Sequence, residues 1–186
     1  MKFGTKAIHA GQEPDPTTGA IMTPIYQTST YVQAEPGDHK GYEYSRGTNP
    51  TRKALEDCIA SLENAKFGLC FSSGMGAIDA VMKTLKTGDE VITGDDLYGG
   101  TYRIFTKIFA PMGIVFKFID FTNPDNLKQH ITPKTKMVWI ETPTNPTCKI
   151  IDIEAVAKIA KANNILLSVD NTFASPYNQN PINLGA

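Results

Sequence analysis

The chain lacks the residue patterns that mark metal sites, disulfide-rich folds, secreted proteins and membrane proteins. Its three cysteines, Cys58, Cys70 and Cys148, are too few and too widely spaced for a disulfide framework or a zinc site, and the three histidines are equally scattered. No apolar run approaches the ~20 residues of a membrane helix, and no apolar segment follows the charged N-terminus as in a secretory signal. We therefore expect a cytoplasmic protein without a metal, in which the cysteines are buried as small hydrophobes.

The charges show no large excess of either sign. Lysine and arginine together number 18 and aspartate and glutamate 19, so the net charge of −1 argues against broad attraction to nucleic acid or anionic membranes. Hydrophobic residues make up 41% of the chain and charged residues 20%, which is the balance of a globular protein. A chain of 186 residues is long enough to bury one sizeable core.

Residues 1–50 differ in composition from residues 51–186, and we predict that they form separate parts of the chain. The first part is rich in glycine and proline and has no sustained helical period, so it cannot build a core of its own. A disordered tail is one interpretation. Its apolar and aromatic residues favour instead an extended N-terminal arm that is ordered against another surface. These residues are Ile21, Ile25, Tyr26, Tyr31, Val32, Tyr42 and Tyr44.

Residues 51–186 alternate between helix-like and strand-like patterns. Thr51 is predicted to cap the first helix, whose apolar face would contain Leu55, Cys58, Ile59 and Leu62. The alternation predicts an α/β fold with a mostly parallel sheet flanked by helices on both faces. In such sheets ligands bind at the carboxyl ends of the strands. We predict strands at 67–71, 90–93, 114–119, 136–140 and 165–169.

The residues after the first predicted strand suit a phosphate. Ser72-Ser73-Gly74-Met75-Gly76 leads into a helix, where free backbone N–H groups and the positive end of the helix dipole favour an anion. Glycine-containing turns are also common for packing reasons. A dinucleotide fingerprint is excluded, because Asp79 stands where its third glycine belongs.

Three further strand ends carry side chains suited to a planar ligand. Tyr98, beside two glycines, could stack on a ring or merely close a helix start. Asn145 lies in a loop made rigid by two prolines, where it could donate a hydrogen bond. Asp170 ends an apolar strand, and burying its carboxylate is costly unless a cation meets it. That cation could be magnesium or a protonated pyridine nitrogen, and a helix N-cap is the structural alternative.

An arginine in the arm also suits a phosphate. Arg46 lies two residues after Tyr44, and its guanidinium presents a planar fork of donors that fits phosphate oxygens. An ordinary surface arginine is the alternative. Because the arm cannot fold alone, Arg46 could serve the site of a neighbouring subunit.

Five short motifs occur together and in one order, and the combination is far more specific than any single one. They are Tyr44-Ser45-Arg46 with Asn49-Pro50-Thr51, Ser73-Gly74-Met75, Asp96-Leu97-Tyr98-Gly99-Gly100-Thr101, Glu141-Thr142-Pro143-Thr144-Asn145-Pro146, and Val169-Asp170-Asn171-Thr172.

With these motifs, the chain resembles the N-terminal portion of the Cys/Met-metabolism branch of fold-type I enzymes that use pyridoxal 5'-phosphate (PLP). The branch contains cystathionine γ-lyase, γ-synthase and β-lyase, methionine γ-lyase and O-acetylhomoserine sulfhydrylase. The resemblance covers essentially the whole chain. It implies a homo-oligomer, typically a homotetramer, with sites shared between subunits, and a small amino-acid substrate such as cystathionine, a homoserine ester or cysteine.

The resemblance also implies roles for particular residues. Gly74 and Met75 would bind the PLP phosphate through their backbone N–H groups. Tyr44 and Arg46 would reach that phosphate from the adjacent subunit. Tyr98 would stack on the pyridine ring and assist proton transfer at the substrate, which makes it the candidate catalytic residue.

Three more residues would contact the ring itself. By the same resemblance, Asn145 would pair with the ring hydroxyl and Asp170 with the ring nitrogen. Thr172 would support these contacts.

The resemblance further implies that the lysine that holds PLP covalently would follow Gly185-Ala186. Within the chain, Lys136 would lie at the wrong end of its strand, which leaves Lys149 as the one geometric candidate. We therefore expect the 186 residues to be inactive by themselves.

The choice among members of the branch stays open. Gly100 stands where methionine γ-lyases usually have a cysteine, which argues against that enzyme. The intact Tyr44-Ser45-Arg46 segment argues against the enteric type of β-lyase, so γ-lyase and γ-synthase are favoured. Two rival interpretations are a nicotinamide-dependent dehydrogenase, which the failed glycine fingerprint disfavours, and a truncated, non-catalytic paralogue that associates with intact subunits.

Overall fold

The computed structural model describes all residues 1–186, which divide into two compact units, Met1–Cys70 and Phe71–Ala186. The predicted arm of residues 1–50 lies within the first unit, and its separation from residues 51–186 stays a prediction. No helix of the protein is both long enough and apolar enough to cross a membrane.

The first unit contains two helices and a small antiparallel hairpin. Helix α1 was not predicted, because it is short and its N-cap residue, Lys2, makes no capping bond. It is held by packing on α2, where the Lys6 ammonium donates to the Ser61 carbonyl and the Asn64 side chain at 3.0 Å each. The elements are α1 (Phe3–His9), β1 (Gln33–Glu35), β2 (Asp38–His39) and α2 (Pro50–Glu63).

Helix α2 begins two residues earlier than predicted. Its N-cap is Asn49, whose side chain accepts from the Thr51 N–H at 2.9 Å, with Pro50 in the first helical position. The prediction of Thr51 was wrong, because its hydroxyl serves the preceding chain instead. That hydroxyl donates to the Pro24 carbonyl and accepts from the Tyr26 N–H, both at 2.9 Å. Thr51 therefore ties the arm to α2.

The second unit is built on a four-stranded sheet in which every pairing is parallel. The α/β architecture predicted from the alternating pattern is confirmed. The strands are β3 (Glu90–Gly94), β4 (Val115–Ile119), β5 (Thr135–Glu141) and β6 (Leu166–Asp170), and their spatial order is β4-β3-β5-β6. The α-helices are α3 (Gly74–Met82), α4 (Gly99–Ile104), α5 (Ile153–Ala162) and α6 (Ser175–Asn178), with a π-helical turn at Phe105–Phe109 and 3-10 turns at Pro124–Gln129 and Pro181–Leu184.

Hydrophobic cores cover both faces of this sheet. Successive residues of β5 alternate between them: Trp139 packs with α3 and the turn after α4, whereas Val138 and Ile140 pack with α5. Val138 and Ile140 are fully buried. A strand buried on both faces needs an uninterrupted apolar sequence, which is the pattern that the chain shows here.

The predicted strand at 67–71 does not form. Phe67 and Leu69 are each 76% exposed, and no strand lies beside them. The apolar pattern was typical of a strand, but a strand exists only when a neighbour accepts and donates its ladder hydrogen bonds. Leu55 and Ile59, predicted to be on the buried face of α2, are also exposed, and so is Cys148.

A partly buried ion pair joins three segments at the amino end of the sheet. The Glu90 carboxylate accepts from the Lys117 ammonium at 2.7 Å and from the Thr132 hydroxyl at 2.6 Å. These two partners hold the pKa of Glu90 below its usual value. The pair therefore stabilises the fold fully at pH values above the ordinary glutamate pKa. This contribution is lost as the pH falls through the lowered pKa that Glu90 has in the folded protein.

We predict that Glu90→Gln lowers the free energy of unfolding by about 1–3 kcal/mol near neutral pH, because it leaves the Lys117 ammonium without its anion. The deficit should shrink as the pH falls below about 4, where wild type loses the same charge. Urea titrations over a pH series measure this. Asp125→Asn, which breaks an exposed pair with Lys128, is the control and should have little effect. A Glu90→Gln deficit that persists in acid would contradict the assignment.

Candidate active site

A cavity of about 380 Å³ opens at the carboxyl edge of the sheet, within the second unit. Its lining includes six of the eight site residues predicted from the sequence, so residues that are far apart in the chain meet where parallel strands end. Those six are Gly74, Met75, Tyr98, Asn145, Asp170 and Thr172, and the rest of the lining is Ser73, Ile78, Glu141, Pro143 and Phe173.

The N-terminus of α3 forms one end of the cavity. Ser73 caps this helix by accepting from the Gly76 N–H at 3.1 Å, which leaves the backbone N–H groups of Gly74 and Met75 without intrahelical partners. The space where a side chain of Gly74 would stand is open to 4 Å. An anion can therefore approach these two N–H groups and the positive end of the helix dipole.

Tyr98 is 46% exposed, and its ring lies over the first turn of α4. A Cβ atom added to Gly100 would stand 2.4 Å from Cε1 of that ring and 2.8 Å from the sulfur of Met75. Glycine at this position therefore lets the ring and Met75 lie close to the backbone. By contrast, a Cβ on the adjacent Gly99 would meet nothing within 4 Å.

Asp170 ends β6 and is oriented by its own loop. Its Oδ1 accepts from the Thr172 N–H at 3.1 Å and from the Thr172 hydroxyl at 2.6 Å, and neither bond uses Oδ2. Asp120 makes a similar pair of bonds with Thr122 after β4, so this turn is by itself structural. What distinguishes Asp170 is that it lines the cavity.

Glu141 is the site residue that sequence reasoning missed. It is 5% exposed and pairs in register with Asp170, so two carboxylates stand side by side where β5 and β6 end. Burial and, to a smaller extent, the charge of Asp170 raise the pKa of Glu141, against the opposing effect of two backbone N–H bonds. The signal was available, because Glu141 is a carboxylate that ends an apolar strand, as Asp170 is.

A second carboxylate holds the loop that carries Asn145. Asp96 accepts from the Thr144 hydroxyl at 2.5 Å and from the hydroxyl and N–H of Thr147. The bonds from Thr144 and then Thr147 lower the pKa of Asp96. The loop is therefore fastened on both sides of Asn145, and Asn145 lines the cavity.

No lysine or arginine lines the cavity. Lys149, the one lysine considered as a cofactor ligand, pairs with Asp95 at 3.1 Å, and this bond raises the pKa of its ammonium. Lys149 is held by Asp95 and does not line the cavity, so it does not suit that role. Lys136 lies near the amino end of β5 and donates to the Pro133 carbonyl.

Tyr44 and Arg46 belong to the first unit, where the Arg46 guanidinium lies 4.9 Å from the centre of the Tyr44 ring. This cation–π contact pre-orients the arginine. Their role toward a phosphate stays a prediction.

The comparisons with known proteins identify the family. Residues 4–186 match the family described as Cys/Met metabolism PLP-dependent enzyme. The chain belongs to this family. It is 55% identical over 184 residues to a probable cystathionine gamma-synthase of Herpetosiphon aurantiacus, which covers 99% of the chain and 58% of the relative. It is 51% identical to a cystathionine gamma-lyase of Bacillus subtilis, which covers 100% of the chain and 49% of the relative.

Solved structures agree with this assignment. The structure of metB from Corynebacterium glutamicum superposes with a TM-score of 0.98 at 49% identity, and the match covers 100% of this chain and 49% of that one. Cystathionine gamma-lyase from Lactobacillus plantarum, complexed with L-serine, superposes with a TM-score of 0.97 at 46% identity, again over 100% and 49%. The chain thus spans about half the length of the relatives that it matches.

Family membership implies PLP, and the cavity fits it. The open N-terminus of α3 offers donors for a phosphate, while the Tyr98 ring offers an aromatic face. Asp170 and Glu141 place two carboxylates at the strand ends, and no lysine or arginine lines the cavity beside them. A ligand with an anionic end, a planar ring and a protonated nitrogen matches that set of groups.

We predict that Gly100→Ala weakens PLP binding by roughly 2- to 10-fold, because the added methyl displaces the Tyr98 ring, whose stacking is worth about 0.5–1.5 kcal/mol. Stability should not fall in parallel, since alanine is favoured over glycine in a helix by up to about 1 kcal/mol. Titration with PLP, followed by quenching of the single tryptophan, Trp139, measures the affinity. Gly99→Ala is the matched control. Equal affinities for the two variants would show that the close approach at Gly100 is irrelevant.

Proposed function

We propose that this chain supplies the cofactor-binding half of a PLP-dependent enzyme that cleaves or forms carbon–sulfur bonds in cystathionine or a related amino acid. The observation that carries the proposal is the meeting of an anion-binding helix end, an aromatic ring and paired carboxylates in one cavity. Relatives named cystathionine gamma-synthase, gamma-lyase and beta-lyase support the substrate class. Among the reactions that these three names describe, we favour γ-elimination and γ-replacement.

Five of the lining residues then have a role in holding the cofactor. Gly74 and Met75 would bind its phosphate, and Asn145 would donate to the ring hydroxyl. Asp170, oriented by Thr172, would keep the ring nitrogen protonated. When bound, PLP supplies an electron sink that stabilises negative charge at the substrate carbon.

Tyr98 would act as the catalytic residue of this half. Its ring would lie against the cofactor, and its hydroxyl would hold or move a proton at the substrate. The half-exposed position of its side chain at the cavity leaves the hydroxyl accessible.

Tyr44 and Arg46 would complete the phosphate site of a neighbouring subunit in a homo-oligomer. The arm that carries them exposes Ile21, Ile25 and Val32, which supports burial of this arm against another chain. Arg46 would contribute a charge-assisted contact, which is stronger than a neutral hydrogen bond. In the same proposal, the complete enzyme acts in the cytoplasm on a small amino acid.

We predict that Asp170→Asn, in a full-length enzyme containing this chain, lowers kcat on the order of 10²–10³-fold while the fold is kept. A neutral amide does not hold the ring nitrogen protonated, and one lost electrostatic contact of this kind has about that effect. Asp120→Asn is the matched control, because Asp120 makes a similar turn with Thr122 after β4 and does not line the cavity. Wild-type turnover in Asp170→Asn would remove Asp170 from the proposed site.

We predict that the 186-residue chain alone releases no 2-oxo acid from cystathionine or homocysteine, even with added PLP. The reason is that no lysine lines the cavity, so no amine is placed to hold the cofactor covalently. A coupled assay for 2-oxo acids, with free PLP as the blank, measures the rate. Steady turnover above that blank would contradict the prediction and would exclude the non-catalytic alternative.

A further inference from the structure

We infer that Glu141 is a positioning residue, which fixes the two loops that carry Tyr98 and Asn145 at the cavity; the inference rests on the proposed function. The two loops follow neighbouring strands, β3 and β5, and extend beyond the ladder that pairs these strands. The Glu141 carboxylate joins them directly.

Each oxygen of this carboxylate serves one loop. Oε2 accepts from the Tyr98 N–H and Oε1 from the Asn145 N–H, both at 2.9 Å. Both donors are backbone groups, so Glu141 sets the course of the main chain at these residues rather than a side-chain rotamer. Because both oxygens are engaged, Glu141 acts through Tyr98 and Asn145.

The surroundings of Glu141 indicate that its charge does not stabilise the fold. The side chain is almost fully buried, it has no cationic partner, and its neighbour Asp170 is another carboxylate. A buried anion in such a place is costly to the folded state. What it provides is two acceptor oxygens within reach of the Tyr98 and Asn145 backbone N–H groups.

Asp96 gives an informative contrast. It also links the β3 loop to the β5 loop, but through Thr144 and Thr147, and it does not line the cavity. The loops are therefore kept near each other by Asp96 even without Glu141. Removing the Glu141 contacts should loosen Tyr98 and Asn145 locally and leave the rest of the loops in place.

The test variant is Glu141→Gln, which has nearly the same size. A glutamine offers one acceptor oxygen, and its NH₂ group faces the second N–H donor, so one of the two loops loses its contact. Glu90→Gln is the matched control, because Glu90 is a partly buried carboxylate of the same sheet but lies at the amino end. Glu141→Asp keeps both oxygens on a shorter side chain and is the second variant.

Two measurements on the 186-residue chain give separate answers. Hydrogen exchange without cofactor measures the exchange rates of the backbone amides of Tyr98 and Asn145. At least one of these two amides should exchange about tenfold faster in Glu141→Gln than in wild type. Titration with PLP, followed by Trp139 quenching and by the circular dichroism of the bound cofactor, should show about tenfold weaker binding and an altered spectrum. Glu90→Gln should change neither loop exchange nor spectrum.

Each other outcome overturns a defined claim. If wild type binds PLP and Glu141→Gln matches it in affinity and spectrum, Glu141 does not position the site. If both Glu141 variants lose protection across the whole sheet, Glu141 supports the fold in general, and the positioning role is likewise excluded. If wild type and all variants fail to bind PLP while exchange changes as expected, the proposed function fails, although the two hydrogen bonds are real.

Discussion

Burial of β5 on both faces is the constraint on which the rest of the second unit depends. The strand is covered by one core through Trp139 and by the other through Val138 and Ile140, so its direction and register are fixed along its length. Glu141 ends this strand and therefore has little freedom. The cavity forms around that fixed end, because neighbouring parallel strands finish at the same edge.

The electrostatics of the site follow from the same geometry. Parallel register places Glu141 beside Asp170, and no cationic side chain lines the cavity to offset the two carboxylates. Asp170 is oriented by a hydrogen bond from Thr172, whereas Glu141 accepts from two backbone N–H groups. The protein alone leaves this edge negative, and a cationic ring nitrogen would offset that charge.

Expectations from sequence failed where an element depends on a neighbour. The apolar residues of 67–71 predicted a strand, yet Phe67 and Leu69 are exposed because no strand pairs with them. Thr51 has a capping side chain, but a contact with Pro24, distant in the sequence, occupies it and Asn49 takes the cap. A local pattern contains no information about which distant group competes for a hydroxyl or completes a ladder.

By itself the sequence determined the parallel α/β order, the sheet edge that carries the site and the residue types suited to a planar, phosphorylated cofactor. Periodicity and strand-end chemistry are local properties, so they can be read along the chain. Only the tertiary structure decided that Glu141 bridges Tyr98 and Asn145, that Gly100 must lack a side chain beside the Tyr98 ring, and that Lys149 is paired. The Glu141–Tyr98 and Lys149–Asp95 contacts join residues 43 and 54 positions apart. Folding sets such distances, and it also sets how closely the Tyr98 ring approaches Gly100, whereas no local pattern contains them.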